Sequence, residues 1–496
     1  MVKGWTPGTA ALLAMCAGCA VGPDFRPPAP PEVGQYTRAP LPATTAAADS
    51  IENATVGGGA AQHIGAAQDL PTDWWTLFHS TALSSLVEQA LQRNPGLAGA
   101  EATLREAREN LAAGRAVYLP TLQASYAAVR QRDPVGTLAP TLNGAVPPAI
   151  FNLYTGQVSV SYVLDVFGQN RRQVESLGAA ADAQRFEYEA TYLTLTASVV
   201  LGAINEASLR DQLTATRAIA GSEHEVVAIL QRQQALGAVA MTDVLAAEAA
   251  LAQTEASLPA LEKQLAQQDD QIAVLAGWLP AEAVPVAFTL DDFTLPTDLP
   301  LSLPSALVAQ RPDVLLAESN LHEATAEVGV AIGNFLPQIA IAGGAGGVST
   351  LASELTATGN VFWSAGASLS QVLFAGGSLV HRKRAADAAL DAAGAHYRTA
   401  VLGAFQNTAD TLEALVADGD GVRTGAAALD AAARSRAIAK KNLELGSVSY
   451  LAWLNAEQAY QQALIGLTQA RAARYADTVG LYAALGGGWW SHTASP

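Results

Sequence analysis

Two stretches of the chain replace the helical spacing of apolar residues with strict alternation, which is typical of strands. Apolar and polar side chains alternate from Val158 to Val166, and again from Trp363 to Ser370. Each stretch follows a second alternating run and a turn-rich connection, as in a β-hairpin. The predicted hairpins lie at about 121–166 and 338–374, with partner strands at 122–130 and 339–342.

After each hairpin the apolar residues return to helical spacing for many turns. The pattern predicts long helices at 171–236 and 378–445, the first on the order of 100 Å in length. Charges are scattered through both, whereas a transmembrane helix needs about 20 mostly apolar residues. A return helix is predicted after each long helix, at 240–277 and 449–485.

The first return helix carries apolar residues every seven positions, which predicts a coiled-coil seam. Val244, Leu251, Leu258, Leu265 and Ile272 form this seam. The matching seam of the second return helix is less regular, because it includes Arg474.

The chain contains the same pattern twice. Pro95 and Pro312 stand 217 positions apart within similar segments, and Gly237 and Gly446 stand 209 apart. A period this long exceeds that of solenoid repeats, so the sequence predicts a duplicated half-domain. We expect one structural repeat at 73–300, a second at 301–486, and a short tail at 487–496.

The N-terminus has the features of an export signal over residues 1–18, ending in Ala17-Gly18 before Cys19. A cysteine after such a site resembles a bacterial lipobox, which makes Cys19 the predicted lipid-attachment residue. An ordinary signal peptide with two incidental cysteines is the alternative. Residues 19–72 are rich in Pro and Ala, and we expect a lipid anchor followed by an extended tether.

Composition narrows the functional classes. The formal net charge of −17 disfavours a nucleic-acid partner, which requires basic patches. The seven histidines are isolated and Cys19 is the last cysteine, so the sequence predicts no metal site, cofactor or catalytic centre. Asp418-Gly419-Asp420-Gly421 lacks the remaining ligands of a calcium loop and is expected to be a solvated irregularity in the second long helix.

Four strands are too few to close a membrane barrel, since known barrels start at about eight. Sheet edges that remain unpaired in lipid lack hydrogen-bond partners. If the two hairpins enter a membrane, the protein must oligomerise.

These features together resemble the outer-membrane factor family of TolC-like channels, and most closely its NodT/OprM-type lipoprotein branch. The resemblance spans nearly the whole mature chain and rests on the order of several short motifs. They are Val21-Gly22-Pro23-Asp24-Phe25, Trp74-Trp75-Thr76-Leu77-Phe78, Ala90-Leu91-Gln92-Arg93-Asn94-Pro95, Gln310-Arg311-Pro312-Asp313-Val314, Leu373-Phe374-Ala375-Gly376-Gly377 and Ala484-Leu485-Gly486-Gly487-Gly488-Trp489.

The resemblance implies a mainly α protein with a small membrane β part, assembled as a homotrimer. The trimer has a twelve-stranded barrel in the outer membrane and a twelve-helix tunnel in the periplasm. It implies a palmitate-bearing lipoprotein without enzymatic activity that serves as the exit channel of a tripartite efflux system. The partners are a periplasmic adaptor and an inner-membrane transporter. A type I protein-secretion outlet is one alternative, and a periplasmic coiled-coil scaffold or adaptor is another.

By the same resemblance, the turns between long and return helices form the periplasmic entrance. Gly237, Gly446 and Tyr450 are the predicted adaptor-docking positions. The predicted gate residues are Asp243, Ala452, Asn455 and Glu457. Ala452 and Asn455 stand where the better-known members often carry aspartates, so we expect an electrostatically weaker gate.

Overall fold

The structure is a computed structural model that describes residues 21–48, 55–66, 70–132, 150–282, 287–301 and 304–491. The predicted signal peptide (1–18) and Cys19 lie outside the described residues. The chain divides into two compact units. The sheet unit consists of Met1–Pro27, Arg105–Ala183 and Glu318–His396, and the helical unit of Pro28–Leu104, Gln184–Ala317 and Tyr397–Pro496.

Long helices account for most of the described chain, as its alanine content favours. The α-helices are α1 (Thr81–Arg93), α2 (Pro95–Arg115), α3 (Gln169–Ala235), α4 (Met241–Leu275), α5 (Pro304–Gln310), α6 (Pro312–Gly333), α7 (Ser378–Glu444) and α8 (Tyr450–Ala484). The strands are β1 (His63–Ala66), β2 (Thr121–Arg132), β3 (Ile150–Leu164), β4 (Asp298–Pro300), β5 (Gln338–Ser349) and β6 (Val361–Ser370).

The duplication is visible in the element bounds. Helices α7 and α8 begin and end 209 positions after α3 and α4, respectively. The two long helices, α3 and α7, have 67 residues each. Strand β5 begins and ends 217 positions after β2. The offset therefore changes within the hairpins, between their first strands and the long helices that follow.

Helices α1 and α2 are separated at one residue, Asn94. Its side-chain oxygen accepts hydrogen bonds from the backbone N–H groups of Gly96 (2.8 Å) and Leu97 (3.2 Å), so it caps α2. Pro95 then occupies the first helical position, where a missing N–H costs nothing.

The helical unit has an aromatic core. Trp74, Phe78, Phe288, Tyr475 and Tyr482 are almost completely buried. Phe78 packs against both tyrosines, with ring centroids 6.3 and 6.4 Å apart, and the Tyr475 hydroxyl donates to the Phe293 carbonyl (2.8 Å). The tyrosines come from α8, so this helix is held firmly in the core.

The N-terminal strap (residues 28–48 and 55–66) also belongs to the helical unit. The fully buried Arg474 donates to the side chains of Thr45 (2.6 Å) and Gln62 (3.2 Å) and to the carbonyls of Gly58 (3.0 Å) and Ala60 (2.7 Å). The prediction of an unpacked tether is therefore wrong for the strap. Its prolines keep it extended, but its polar groups are bound by a buried cation that sequence periodicity marked only as an irregular seam position.

The strap also explains Asp418-Gly419-Asp420-Gly421. This segment lies inside α7 without interrupting it, which differs from the predicted irregularity. Gly419 is buried, and a Cβ there would lie 3.0 Å from the Ala46 nitrogen and 3.1 Å from Thr45 Cβ. The glycine makes room for the strap against the helix. The strap makes a second contact with the helical unit through its strand β1, which pairs in parallel with β4.

One described helix, α3, contains an 18-residue stretch apolar enough to cross a bilayer, with a mean hydropathy of 1.2. Of that stretch, 61% is buried by the protein itself. Such burial is also found in core helices of soluble proteins, so composition alone is weak support for a membrane helix.

Candidate functional site: the sheet and the two helical tips

The sheet unit contains a four-stranded antiparallel sheet in the order β2-β3-β5-β6. The two hairpins join through β3 and β5, where Tyr162 pairs with Ile341 and Val160 with Gly343. This arrangement leaves β2 and β6 as the two edges, each with one side that pairs with no described strand.

The pairing register sorts the side chains of this sheet into two faces, because residues directly opposite one another point the same way. The first face is apolar over most of its length. It includes Leu122, Ala124, Tyr126, Val158, Val160, Tyr162, Leu164, Ile339, Ile341, Trp363, Ala365, Ala367 and Leu369. Many of these side chains are exposed in the single chain, among them Trp363 (79%) and Leu122 (72%).

The second face of the sheet is mostly small and polar, with larger apolar side chains toward its ends at Val129, Phe151, Leu153, Val163, Val348 and Phe362. It includes Gln123, Ser125, Gln157, Ser159, Ser161, Ala342, Gly344, Ser364, Ser368 and Ser370. Along the four described strands this face carries no charged side chain. Hydroxyl and amide groups line this face, as is typical of a sheet surface in contact with water.

The sheet therefore has the two surfaces of a membrane barrel wall, apolar outside and wet inside. Trp363 lies near one end of the apolar face, and the exposed Leu373 (90%) and Phe374 (88%) follow the other end. These positions are suitable for contacts with the two membrane interfaces.

The first helical tip connects α3 to α4. Gly237 is exposed and has φ +74°, the left-handed conformation that glycine adopts most readily. The Ala238 N–H donates to the Gln233 carbonyl (2.8 Å), closing the end of α3. Helix α4 begins after Ala240, whose side chain makes no cap. Asp243, one of the predicted gate residues, lies half-buried in the first turn of α4.

The second tip connects α7 to α8 by the same turn. Gly446 is exposed with φ +69°, and the Ser447 N–H donates to the Asn442 carbonyl (2.9 Å). Here the next helix is capped, because Ser449 Oγ accepts from the Ala452 N–H (3.3 Å).

The predicted gate and docking residues fall into two groups. Ala452 and Asn455 are exposed on α8, as a pore-lining role requires. Tyr450 is only 6% exposed and Glu457 is fully buried, both packed inside the chain's own helices. Neither side chain is therefore exposed at the surface of the chain, and the gate role of Glu457 and the docking role of Tyr450 stay predictions.

Glu457 instead belongs to a buried polar cluster. Its Oε2 accepts from Arg436 Nε of α7 at 2.7 Å. Glu223 of α3, 1% exposed, accepts from Gln461 of α8 at 3.2 Å. The repeat offset alone could not identify this cluster, because Arg436 corresponds to Val227 in the first repeat.

The sheet unit also holds the start of the described chain. The Val21 N–H donates to the Phe167 carbonyl (3.1 Å), and the Val21 carbonyl accepts from Arg172 Nε (2.9 Å). Arg172 also binds Asp24 at 2.5 Å, and Phe25 stacks on His322 with centroids 4.3 Å apart. The segment that carries the Val21–Phe25 motif is thus fixed just beyond the end of β3.

Among the described residues, no three His, Cys, Asp or Glu side chains lie close enough together to hold a metal ion. The chemistry that this part of the chain offers is a polar surface, two turns and several buried ion pairs.

Comparison with known proteins connects these parts. A family model described as "Outer membrane efflux protein" matches residues 86–278 and 303–487. The pyoverdine export outer membrane protein OpmQ of Pseudomonas aeruginosa is 28% identical over 423 residues, which cover 84% of this chain and 88% of OpmQ. Outer membrane protein OprJ of the same species is 29% identical over 493 residues, 97% of this chain and 95% of OprJ. The solved structure of the outer-membrane channel OprN has a TM-score of 0.82 at 26% identity, covering 95% of this chain and 100% of that chain.

The two matched segments fall one in each repeat, and together they include the four-stranded sheet and both tips. They take in well over half of the sequence, in the order expected of a duplicated chain. The protein belongs to the outer membrane efflux protein family.

Proposed function

We propose that this protein is the outer-membrane exit channel of a tripartite efflux system, a passive and non-catalytic conduit for small molecules. It works as a homotrimer with a periplasmic adaptor and an inner-membrane pump, as its homologues do. The observation that carries the proposal is the sheet with one apolar face, one uncharged polar face and two unpaired edges.

The edges supply the argument for three copies. Within lipid, the free N–H and C=O groups of β2 and β6 have no water to bind, so the sheet must close. Antiparallel pairing of β6 in one copy with β2 in the next continues the up-and-down order. Three copies give twelve strands, which is within the range of known barrels.

A lipid anchor at Cys19 fits the position of the chain start. Val21 is hydrogen-bonded to Phe167, three residues after β3 ends. Cys19 precedes Val21 by two residues in the sequence, and two residues span at most about 7 Å, so a lipid on Cys19 would be tethered close to the end of β3. An acyl chain there would reach the leaflet that surrounds the base of the barrel. No cofactor is required for the proposed function.

The tips supply the regulated entrance. We assign adaptor docking to the exposed turns around Gly237 and Gly446, and the gate to Asp243, Ala452 and Asn455. Two of these three gate residues carry no charge, so the closed state should depend less on ion pairs and more on apolar packing. Single-channel conductance of Asn455→Asp in planar bilayers tests this. We expect stronger block by divalent cations than in wild type, and an unchanged block would remove Asn455 from the gate.

The closure of the barrel is testable by disulfide cross-linking in a Cys16→Ser, Cys19→Ser background. Gln123→Cys on β2 is combined in turn with Ser364→Cys, Ser368→Cys and Ser370→Cys on β6, all on the polar face. At least one pair should yield covalent dimers and trimers in outer-membrane extracts.

In the matched control Gln123 stays unchanged, and Ser159→Cys on the interior strand β3 is combined with the same three cysteines on β6. We expect no intermolecular product from it, because β3 is paired on both sides. A monomeric mass in mild detergent, together with no cross-link at any edge pair, would overturn the channel assignment.

A further inference from the structure

The second tip contains an unusual buried site between α3 and α8. Four polar side-chain atoms there are buried and have no hydrogen-bond partner in the protein. They are Glu223 Oε2, Glu457 Oε1, Tyr450 Oη and Trp453 Nε1. The exposure of their residues is 1%, 0%, 6% and 2%, so all four side chains are inside the helical packing.

The geometry places these groups on one stripe of α8. Tyr450, Trp453, Glu457 and Gln461 follow one another at helical spacing of three or four residues, so their side chains lie on one face. The Tyr450 and Trp453 rings are 5.5 Å apart. Glu223 of α3 faces the same stripe, because it binds Gln461 at 3.2 Å.

The charges in this site do not balance. Among the described residues, Arg436 is the single cation hydrogen-bonded to either carboxyl group, and of the two it binds Glu457, at 2.7 Å. Its other contacts are Ser222 Oγ at 3.4 Å and the Tyr460 ring, 4.4 Å from the guanidinium carbon to the ring centroid. With both carboxyl groups ionised, one buried negative charge would lack a counter-ion. Burying such a charge is costly, and neutralisation by a proton is the usual outcome.

We propose that Glu457, packed opposite Glu223, is a buried proton-binding site that takes up one proton and couples the packing of α8 against α3 to the surrounding pH. The proton sits on the unpartnered Oε1 of Glu457, where it supplies the missing donor. One buried negative charge then remains for the one positive charge of Arg436. The proposal concerns a site inside one chain and stands or falls separately from channel function.

Two further observations support the site. Burial raises the pKa of Glu457, and the charge of Glu223 adds to this, although Arg436 acts against both. Burial, with the charges of both carboxyl groups, raises the pKa of Tyr450 to about 12, so the phenol stays neutral. Glu223 and Gln461 also line a groove of about 370 Å³, which gives a proton a path from solvent.

The other elements packed here contribute few competing charges. Helix α4 adds apolar Val244, Ala247 and Leu251 to the same core. Its acid Glu248 is exposed and binds Gln231 at 2.9 Å. Lys440 of α7 is exposed, and its charge lowers the pKa of Glu457. His224, next to Glu223, is 66% exposed and pairs with Glu255 at 3.3 Å.

The direction of the pH effect follows from linkage. A carboxyl group whose native pKa is raised binds protons more tightly in the folded state, so its contribution to stability is present at low pH and lost as pH rises. Local opening of α8 at the tip should therefore become easier from about pH 5 to about pH 8. The effect is about tenfold for each unit by which the native pKa exceeds the unfolded one.

Hydrogen exchange of the detergent-solubilised full chain measures this opening directly. The readout is the protection of residues 450–461, corrected for intrinsic rates and divided by that of 241–252 in the first tip. In wild type the ratio should fall as pH rises. Glu457→Gln, which mimics the protonated carboxyl, should make the ratio insensitive to pH. Glu223→Gln removes the neighbouring negative charge that raises the pKa of Glu457, so it should make the slope shallower. Glu248 is the residue of the first repeat that corresponds to Glu457, and Glu248→Gln should not change the slope of the ratio against pH.

The opposing result is also defined. If Glu457 is an ordinary structural partner of Arg436, Glu457→Gln lowers protection by the same factor at every pH and the slope stays parallel to wild type. That outcome overturns the proposal. Infrared spectroscopy gives a second readout, because the difference between wild type and Glu457→Gln should contain a protonated carboxyl band, whereas the band of Asp418 cancels. No such band in the difference above pH 5 would also overturn the proposal.

Discussion

The two helical hairpins of this protein have the same lengths, the same turns and a constant offset of 209 positions, yet their interiors differ. At five paired positions the first hairpin (α3 and α4) has an apolar or neutral residue where the second (α7 and α8) has a charge or a large aromatic. The pairs are Leu209 and Asp418, Val227 and Arg436, Val244 and Trp453, Leu265 and Arg474, and Gln268 and Asp477. Glu248 and Glu457 are identical in type, but only the second is buried.

The difference follows from what each hairpin contacts. The strap packs on the second hairpin, where Ala48 and Val56 join the core around Val422, Ala426 and Leu467. Its backbone carbonyls need donors, and Arg474 supplies them. Duplication thus kept the helix lengths and turns, while the contact with an unduplicated segment changed the side chains of one copy only.

The largest expected effect is at the aromatic position of the tips. Trp453→Ala removes a side chain that is 2% exposed and should lower the free energy of unfolding by about 3–5 kcal/mol. Val244→Ala, its counterpart at 4% exposure, removes two methyl groups and should cost only about 2 kcal/mol. Urea unfolding followed by helical circular dichroism measures both. Both side chains lie in one hydrophobic cluster, so equal losses would mean that the larger Trp453 side chain contributes no more to this shared core than Val244 does.

Breaking the strap contact should have the next largest effect. Arg474→Leu gives the second hairpin the residue of the first and leaves four strap acceptors without their donor, a loss of roughly 3 kcal/mol. Limited proteolysis should then cut within 28–66 before any helix is cleaved.

The control for this change is Arg423→Leu, which removes an exposed ion pair with Asp420 on α7. Pairs of this kind contribute about 0–1 kcal/mol, so the strap should stay protected. A strap that resists proteolysis in Arg474→Leu would show that β1–β4 pairing and apolar contacts hold it without the cation.

Sequence reasoning predicted the elements far better than these interiors. The hairpins, the seam through Val244 and Leu251 and both glycine turns depend on residues that are close together in the sequence. Sequence patterns therefore predicted them. The role of Glu457 depends on a contact with a residue more than 20 positions away in the sequence, and the role of Arg474 on contacts with residues more than 400 positions away. Periodicity carries no information on such contacts, and at Arg474 its only trace was a charge in an apolar seam.

The third expected effect is a dependence on pH at Asp418 of the second hairpin, where the first hairpin has Leu209. Burial, and then the neighbouring Asp477, raises the pKa of Asp418 to about 7, although the charge of Arg474 opposes the shift. The native state therefore binds a proton more tightly than the unfolded state, and stability should fall as pH rises from about 4 to about 7. Asp418→Asn should flatten this part of the profile of unfolding midpoint against pH.

Asp420→Asn is the matched control, because Asp420 is two residues away and exposed. Its profile should follow that of wild type. If Asp418→Asn also follows wild type, the two carboxyl groups of Asp418 and Asp477 do not share a proton, and Asp418 is ionised throughout.

The smallest expected effect concerns the helix caps at the two tips, where the turns are otherwise alike. Ser449 caps α8 through its hydroxyl, whereas Ala240 offers no acceptor to α4. Ala240→Ser should stabilise the start of α4 by about 1 kcal/mol, and Ser449→Ala should destabilise α8 by a similar amount. Hydrogen exchange of the first turns, 241–245 and 450–454, resolves each change separately. If the exchange of α4 does not slow in Ala240→Ser, the first turn of α4 is held by contacts other than its cap, and the matching backbone of the two tips conceals different local energetics.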